Sequence, residues 1–125
     1  MKEIELEILN LLESHPKCLT IITNHFMKVM IDSFDNEEVP EEFKKSMMEL
    51  GISKERLAMI ISGAPRCLFT PFDEQEIYIE VYRTTGKKFT YRIEDYETPN
   101  FSSEKRIDCE LEAIKSAFEI LEDKS

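Results

Sequence analysis

The sequence predicts an α+β fold: a helical N-terminal half of about four short helices, an antiparallel sheet of two or three strands, and a C-terminal amphipathic helix packed on that sheet. Two observations predict it. Apolar residues recur at helical spacing up to Pro65, alternate strictly with polar ones from Glu76 to Glu94, and return to helical spacing as far as Leu121. A chain of 125 residues also suits one domain, large enough to bury about two thirds of the surface its unfolded form exposes, without disulfide or metal. No repeat, low-complexity tract or linker divides it, so residues 1–125 read as a single acidic domain.

Ile4, Ile8, Leu11 and Leu12 share one helical face, and Glu3, Glu5 and Glu7 crowd the first turn, where the helix dipole favours anions. Pro16 ends this helix near His15. From Cys18 to Phe34, the residues Leu19, Ile22, Phe26, Val29 and Met30 form a broad stripe that suits a central helix or one covered by a partner. Leu19 to Thr23 is β-branched enough to begin as a strand instead. An acidic loop, Asp35 to Val39, leads to Pro40, which opens a third helix with Glu41 and Glu42 in its first turn and Gly51 at its end. Ser53 caps a fourth helix, Lys54 to Ile61, which Gly63 and Pro65 stop. Cys67 to Phe72 is short and apolar, and Pro71 restricts it to an edge strand or a loop.

The hairpin follows. For Ile77, Ile79 and Val81 to share a face with Phe89, Tyr91 and Ile93, a two-residue loop is excluded. A three-residue loop, Thr84-Thr85-Gly86, meets the requirement and puts Gly86 at the position that needs a positive φ. Val81 then faces Phe89, Ile79 faces Tyr91, and Ile77 faces Ile93. The last helix starts near Ser103 and carries Ile107, Leu111, Ile114, Phe118 and Leu121 as one stripe, to lie across the inner face of the hairpin.

Sixteen basic against twenty-six acidic residues give a formal charge of −10, which repels phosphate backbones and anionic membranes and favours solubility or a protein partner with a basic surface. Only residues 40–66, with five bases and four acids, escape the acidic bias. Cys18, Cys67 and Cys109 are widely spaced with no C-x-x-C pair, as expected of reduced, buried thiols. Acids interleave with the apolar residues from Glu3 to Glu7, which does not make a signal peptide, and no stretch has the length of a membrane span. A cytoplasmic location is therefore expected.

Three constellations bear on function. On the outer face of the hairpin, Tyr78, Glu80 and Tyr82 stand beside Thr90, Arg92 and Glu94, with Tyr78 opposite Arg92 in the deduced register. Tyrosine and arginine are enriched where interfaces form, so Tyr78, Glu80, Tyr82 and Arg92 are the predicted partner-binding residues. Second, Phe43 to Ser62 resembles the helix-turn-helix motif, with Gly51 in the turn, Leu50 and Ile52 around it, and Leu57 and Ile60 in the second helix. That resemblance implies DNA contact through Ser53, Lys54 and Arg56, as a dimer. Third, the dispersed carboxylates could steer a basic partner. The only histidines, His15 and His25, match no catalytic motif, and no P-loop, G-x-S-x-G or H-E-x-x-H occurs. A spatial pairing of Cys18 or Cys67 with His25 would make a nucleophile and base or part of a metal site. The expectation is a non-enzymatic protein-binding module with no cofactor or metal, acting as an inhibitor, immunity factor or regulatory adaptor, with a homodimer as a further option.

Overall fold

The computed structural model of the chain describes residues 2–33, 40–84 and 86–124. Among these, the elements follow in the order α1 (Glu3–Ser14), α2 (Pro16–Ser33), α3 (Glu41–Leu50), α4 (Lys54–Gly63), a 3-10 turn (Pro65–Leu68), α5 (Phe69–Glu74), β1 (Ile79–Arg83), β2 (Phe89–Ile93) and α6 (Arg106–Lys124). This is the predicted α+β architecture, with an antiparallel two-stranded sheet on which α6 packs, although five α-helices and a 3-10 turn, not about four helices, precede the sheet. The acidic loop expected over 35–39 lies outside the described residues.

Turn chemistry sets most boundaries. Pro16 both closes α1 and serves as the first residue of α2, where its missing N–H would have had no helical acceptor. Helix then runs through Leu19 to Thr23, where a strand start was the other option. Gly51 ends α3 with φ +65°, and Ser53 caps α4, its hydroxyl accepting from the Arg56 N–H at 3.2 Å.

Residues 67–72 depart from expectation, since they are helical and add no third strand. Pro65 begins the 3-10 turn and Pro71 falls in the first turn of α5, positions where a lost donor costs no helical bond. Leu68, Pro71 and Phe72 are buried there.

One contiguous cluster of buried residues holds the elements other than α3 together. α1 and α4 pack on each other and bury Ile8 and Leu12 from one, Leu57, Ala58 and Ile61 from the other. α6 lies against both strands, α2, α5 and the 3-10 turn. Of its predicted stripe, Ile114, Phe118 and Leu121 are buried, but Leu111 is half-buried and Ile107 exposed. The buried face is rotated toward Cys109, Ala113 and Ala117. α6 also starts at Arg106 and not near Ser103, because Ser103 exchanges two backbone bonds with Phe89 at 2.7 and 3.0 Å.

The hairpin register is two residues from the predicted one. Ile79 pairs with Ile93, Glu80 with Arg92, Val81 with Tyr91, Tyr82 with Thr90 and Arg83 with Phe89. The Thr84 N–H donates to the Lys88 carbonyl at 2.8 Å, so the three-residue connection is 85–87, one position beyond the predicted loop; Thr85 lies outside the described residues. Lys87 and not Gly86 carries the positive φ, +60°. Packing decides the shift. Ile77 is fully buried, its N–H donating to the Phe72 carbonyl at 2.9 Å, so it belongs to the α5 junction and leaves Ile79 to face Ile93.

A polar lock joins the ends of the chain. The Glu122 carboxylate of α6 accepts from the Cys18 N–H at 3.1 Å and the Lys17 N–H at 3.3 Å, filling the N-terminal bonds of α2 that no residue before Pro16 supplies. Desolvation opposes its charge, but these backbone donors outweigh it and hold the Glu122 carboxyl below its ordinary range. A depressed folded value stabilises the protein at pH above the unfolded value, and that stability is lost as pH falls through the lower folded value.

Two outcomes are expected. Thermal unfolding of wild type should lose more stability than Glu122→Gln on moving from about pH 6 to about pH 3. Lys87→Gly, which relieves a left-handed backbone at an exposed loop, should raise stability by about 1 kcal/mol in a denaturant titration.

Candidate functional site

The outer face of the hairpin is built by parity. Even-numbered residues from Tyr78 to Tyr82 and from Thr90 to Glu94 point away from α6. Tyr78 and Tyr82 are 47% and 41% exposed, and a third ring, Tyr96, joins them at 39%. The turn after β2 brings Tyr96 in: its N–H donates to the Ile93 carbonyl at 3.1 Å, and Asp95 takes φ +68° to make the bend. Asp tolerates that conformation better than most residues. Sequence reasoning missed Tyr96 because the alternating pattern stops at Glu94; the turn-forming Glu94-Asp95 pair was the available signal.

Arg92 lies opposite Glu80, where Tyr78 was expected; Tyr78 sits across from Glu94, whose N–H donates to the Tyr78 carbonyl at 3.1 Å. The Arg92 guanidinium binds one Glu80 oxygen through both Nε and Nη2 at 2.6 Å, and its Cζ stands 6.0 Å from the centre of the Tyr82 ring. Hydrogen bonding to Glu80, and then its charge, push the Arg92 pKa further up, so the group is a permanent cation. Thr90 turns its hydroxyl to the Phe101 carbonyl at 2.7 Å and is occupied by the fold.

Between these side chains runs a groove of about 450 Å³, walled by Tyr78 and Tyr96 and rimmed by Glu80, Glu94, Asp95 and Arg92. Three carboxylates face one guanidinium, and Glu80 is already committed to it. The arrangement offers aromatic faces and uncommitted negative charge, the chemistry that receives an extended cationic side chain.

Two of the three residues singled out for DNA contact have structural partners. Ser53 is the cap of α4, and Lys54 Nζ lies 3.2 Å from Glu13 of α1. Arg56 is exposed. His25 sits 3.5 Å from Glu74 and edge-on to Phe26, and no hydrogen bond joins it to Cys18 or Cys67. Among the described residues no group of three His, Cys, Asp or Glu is placed to hold a metal, and no helix is long and apolar enough to cross a membrane.

The three cysteines are free, with Cys18 and Cys109 buried and Cys67 half-buried. Burial, followed by the hydrogen bond and charge of Glu122, pushes the Cys18 thiol up to about 12; burial raises Cys67 and Cys109 to about 11. At about pH 8 each should react with an aromatic disulfide at least a hundredfold more slowly than in urea, since the thiolate is the reacting form.

No known protein family, curated protein or solved structure matches this chain.

Proposed function

We propose that this chain is a non-enzymatic, acidic protein-binding module that masks the surface of a basic partner, as an inhibitor, immunity factor or regulatory adaptor does. The observation that carries the reading is the exposed Tyr78–Tyr82–Tyr96 face around the Glu80–Arg92 pair, on a body of formal charge −10. Exposed tyrosines give large contact area at small entropic cost. Surrounding carboxylates speed encounter with a cationic surface and discourage nucleic acid. The outer face of the hairpin takes little part in the core, so it is free to be selected for contact.

Affinity capture from the native cell, followed by titration of the purified partner, tests this. Tyr78→Ala with Tyr82→Ala should weaken binding at least thirtyfold, the loss that about 2 kcal/mol at one central residue corresponds to. Circular dichroism and the unfolding midpoint should stay close to wild type, because both rings stand in solvent. The association rate should fall steeply with added salt. Affinity that survives both substitutions removes the hairpin face from the mechanism. DNA contact through residues 43–62 makes the opposite forecast: retention on duplex DNA at low salt, abolished when Lys54 and Arg56 are replaced.

A further inference from the structure

The two edges of the sheet differ. The Glu94 N–H donates to the Tyr78 carbonyl and the Thr84 N–H to the Lys88 carbonyl, so the bonded pairs of the ladder are those of Tyr78, Glu80, Tyr82 and Thr84. The N–H and carbonyl groups of Ile79, Val81 and Arg83 therefore point away from β2. No described backbone or side-chain group bonds to them. The far edge of β2, by contrast, is pinned at both ends, through Phe89 to Ser103 and through Ile93 to Tyr96. An open strand edge is a template for another strand.

We propose that the free edge of β1 receives an extended segment of the basic partner protein as a third antiparallel strand. This rests on the reading that the hairpin's outer face is the docking surface, and it names the form in which the partner arrives. Main-chain bonds to Ile79, Val81 and Arg83 supply the pairing, and alternate side chains supply the selection. On the outer side the segment runs beside Tyr78 and Tyr82, whose rings flank the Glu80 carboxylate already paired with Arg92; on the inner side it runs beside the half-buried Ile79 and Val81. A segment alternating lysine or arginine with valine, isoleucine or leucine fits both.

Charge selects this occupant over a second copy of the chain. Two molecules of formal charge −10 repel, whereas the same field attracts a basic segment. Adding one five-residue strand also buries far less than the roughly 1,200 Å² of a stable interface. Strand pairing therefore adds to the contact made by the tyrosine face.

The probe is a capped heptapeptide alternating valine with lysine, titrated into the isotope-labelled full chain. Exchange of the Ile79, Val81 and Arg83 amides should slow at least tenfold at saturation. Replacing the lysines by glutamate should weaken binding at least tenfold, and N-methylating the alternate peptide amides that face β1 should abolish it. No slowing at these three amides with millimolar peptide, or undiminished binding of the N-methylated form, overturns the proposal. Val81→Pro removes one outward N–H while leaving the β1–β2 bonds intact, and should weaken the peptide at least tenfold. If folded Val81→Pro binds normally and the tyrosine double variant does not, strand addition fails and the docking face stands. If Val81→Pro binds weakly and the tyrosine variant normally, the face fails and strand addition stands. Should Val81→Pro not fold, the N-methylated peptide decides.

Discussion

Burial of α6 is the constraint on which the sheet, α2, α5 and the 3-10 turn depend. A two-stranded hairpin is marginal in water by itself, and here both strands rest on that helix, together with α2, α5 and the 3-10 turn. Ala113 and Ala117 keep the helix slim on one side, while Ile114, Phe118 and Leu121 fill the space on the other. Phe118 is the meeting point: its ring lies edge-on to Phe72 of α5 and to His15 between α1 and α2, each with centroids 5.7 Å apart. The same helix supplies Glu122 as the polar end of α2 and Ser116 as the partner of the buried Tyr91 hydroxyl at 2.8 Å. A sheet pinned on one face by a single helix must present its other face to solvent, which is how the tyrosine surface comes to exist.

Three lysines hold elements together. Lys54 ties α4 to Glu13 of α1, Lys115 ties α6 to Glu7 of α1 as well as to Glu112, and Lys124 donates to the Gln75 carbonyl at 2.7 Å beside Glu76. Exposed pairs of this kind add little stability. Their consequence is electrostatic, because a lysine engaged by one acid leaves the remaining acids less shielded. Glu110 breaks the pattern: it is only 4% exposed, its Oε1 lies 3.9 Å from Arg106 Nε, and its Oε2 has no described partner.

Much of the local structure was legible because it depends on neighbours in sequence. Ser53, Gly51, Pro16 and Pro40 mark helix ends through caps, positive φ and missing donors, and alternation from Glu76 to Glu94 marks the hairpin. The candidate site was legible in the same sense: parity alone puts Tyr78, Glu80, Tyr82 and Arg92 on one face. Their pairing was not. A register shift of two residues keeps every side chain on its face, so periodicity is blind to it, and Arg92 passes from Tyr78 to Glu80 without any change in pattern. Residues 67–72 misled for a related reason, since a short apolar run bearing a proline reads alike as an edge strand or a helical first turn.

By itself, then, the sequence determined the class of fold, the elements' approximate limits, the acidic surface and the membership of the hairpin's outer face, all of which follow from short-range periodicity and composition. Tertiary structure decided which residue faces which, the rotation of α6 toward its alanines, the arrival of Tyr96 and the open edge of β1. Those depend on Ile77 being drawn into the α5 junction and on Ser103 bonding to Phe89. Each is a contact between segments brought together only by burial of the common core, and no local pattern encodes it.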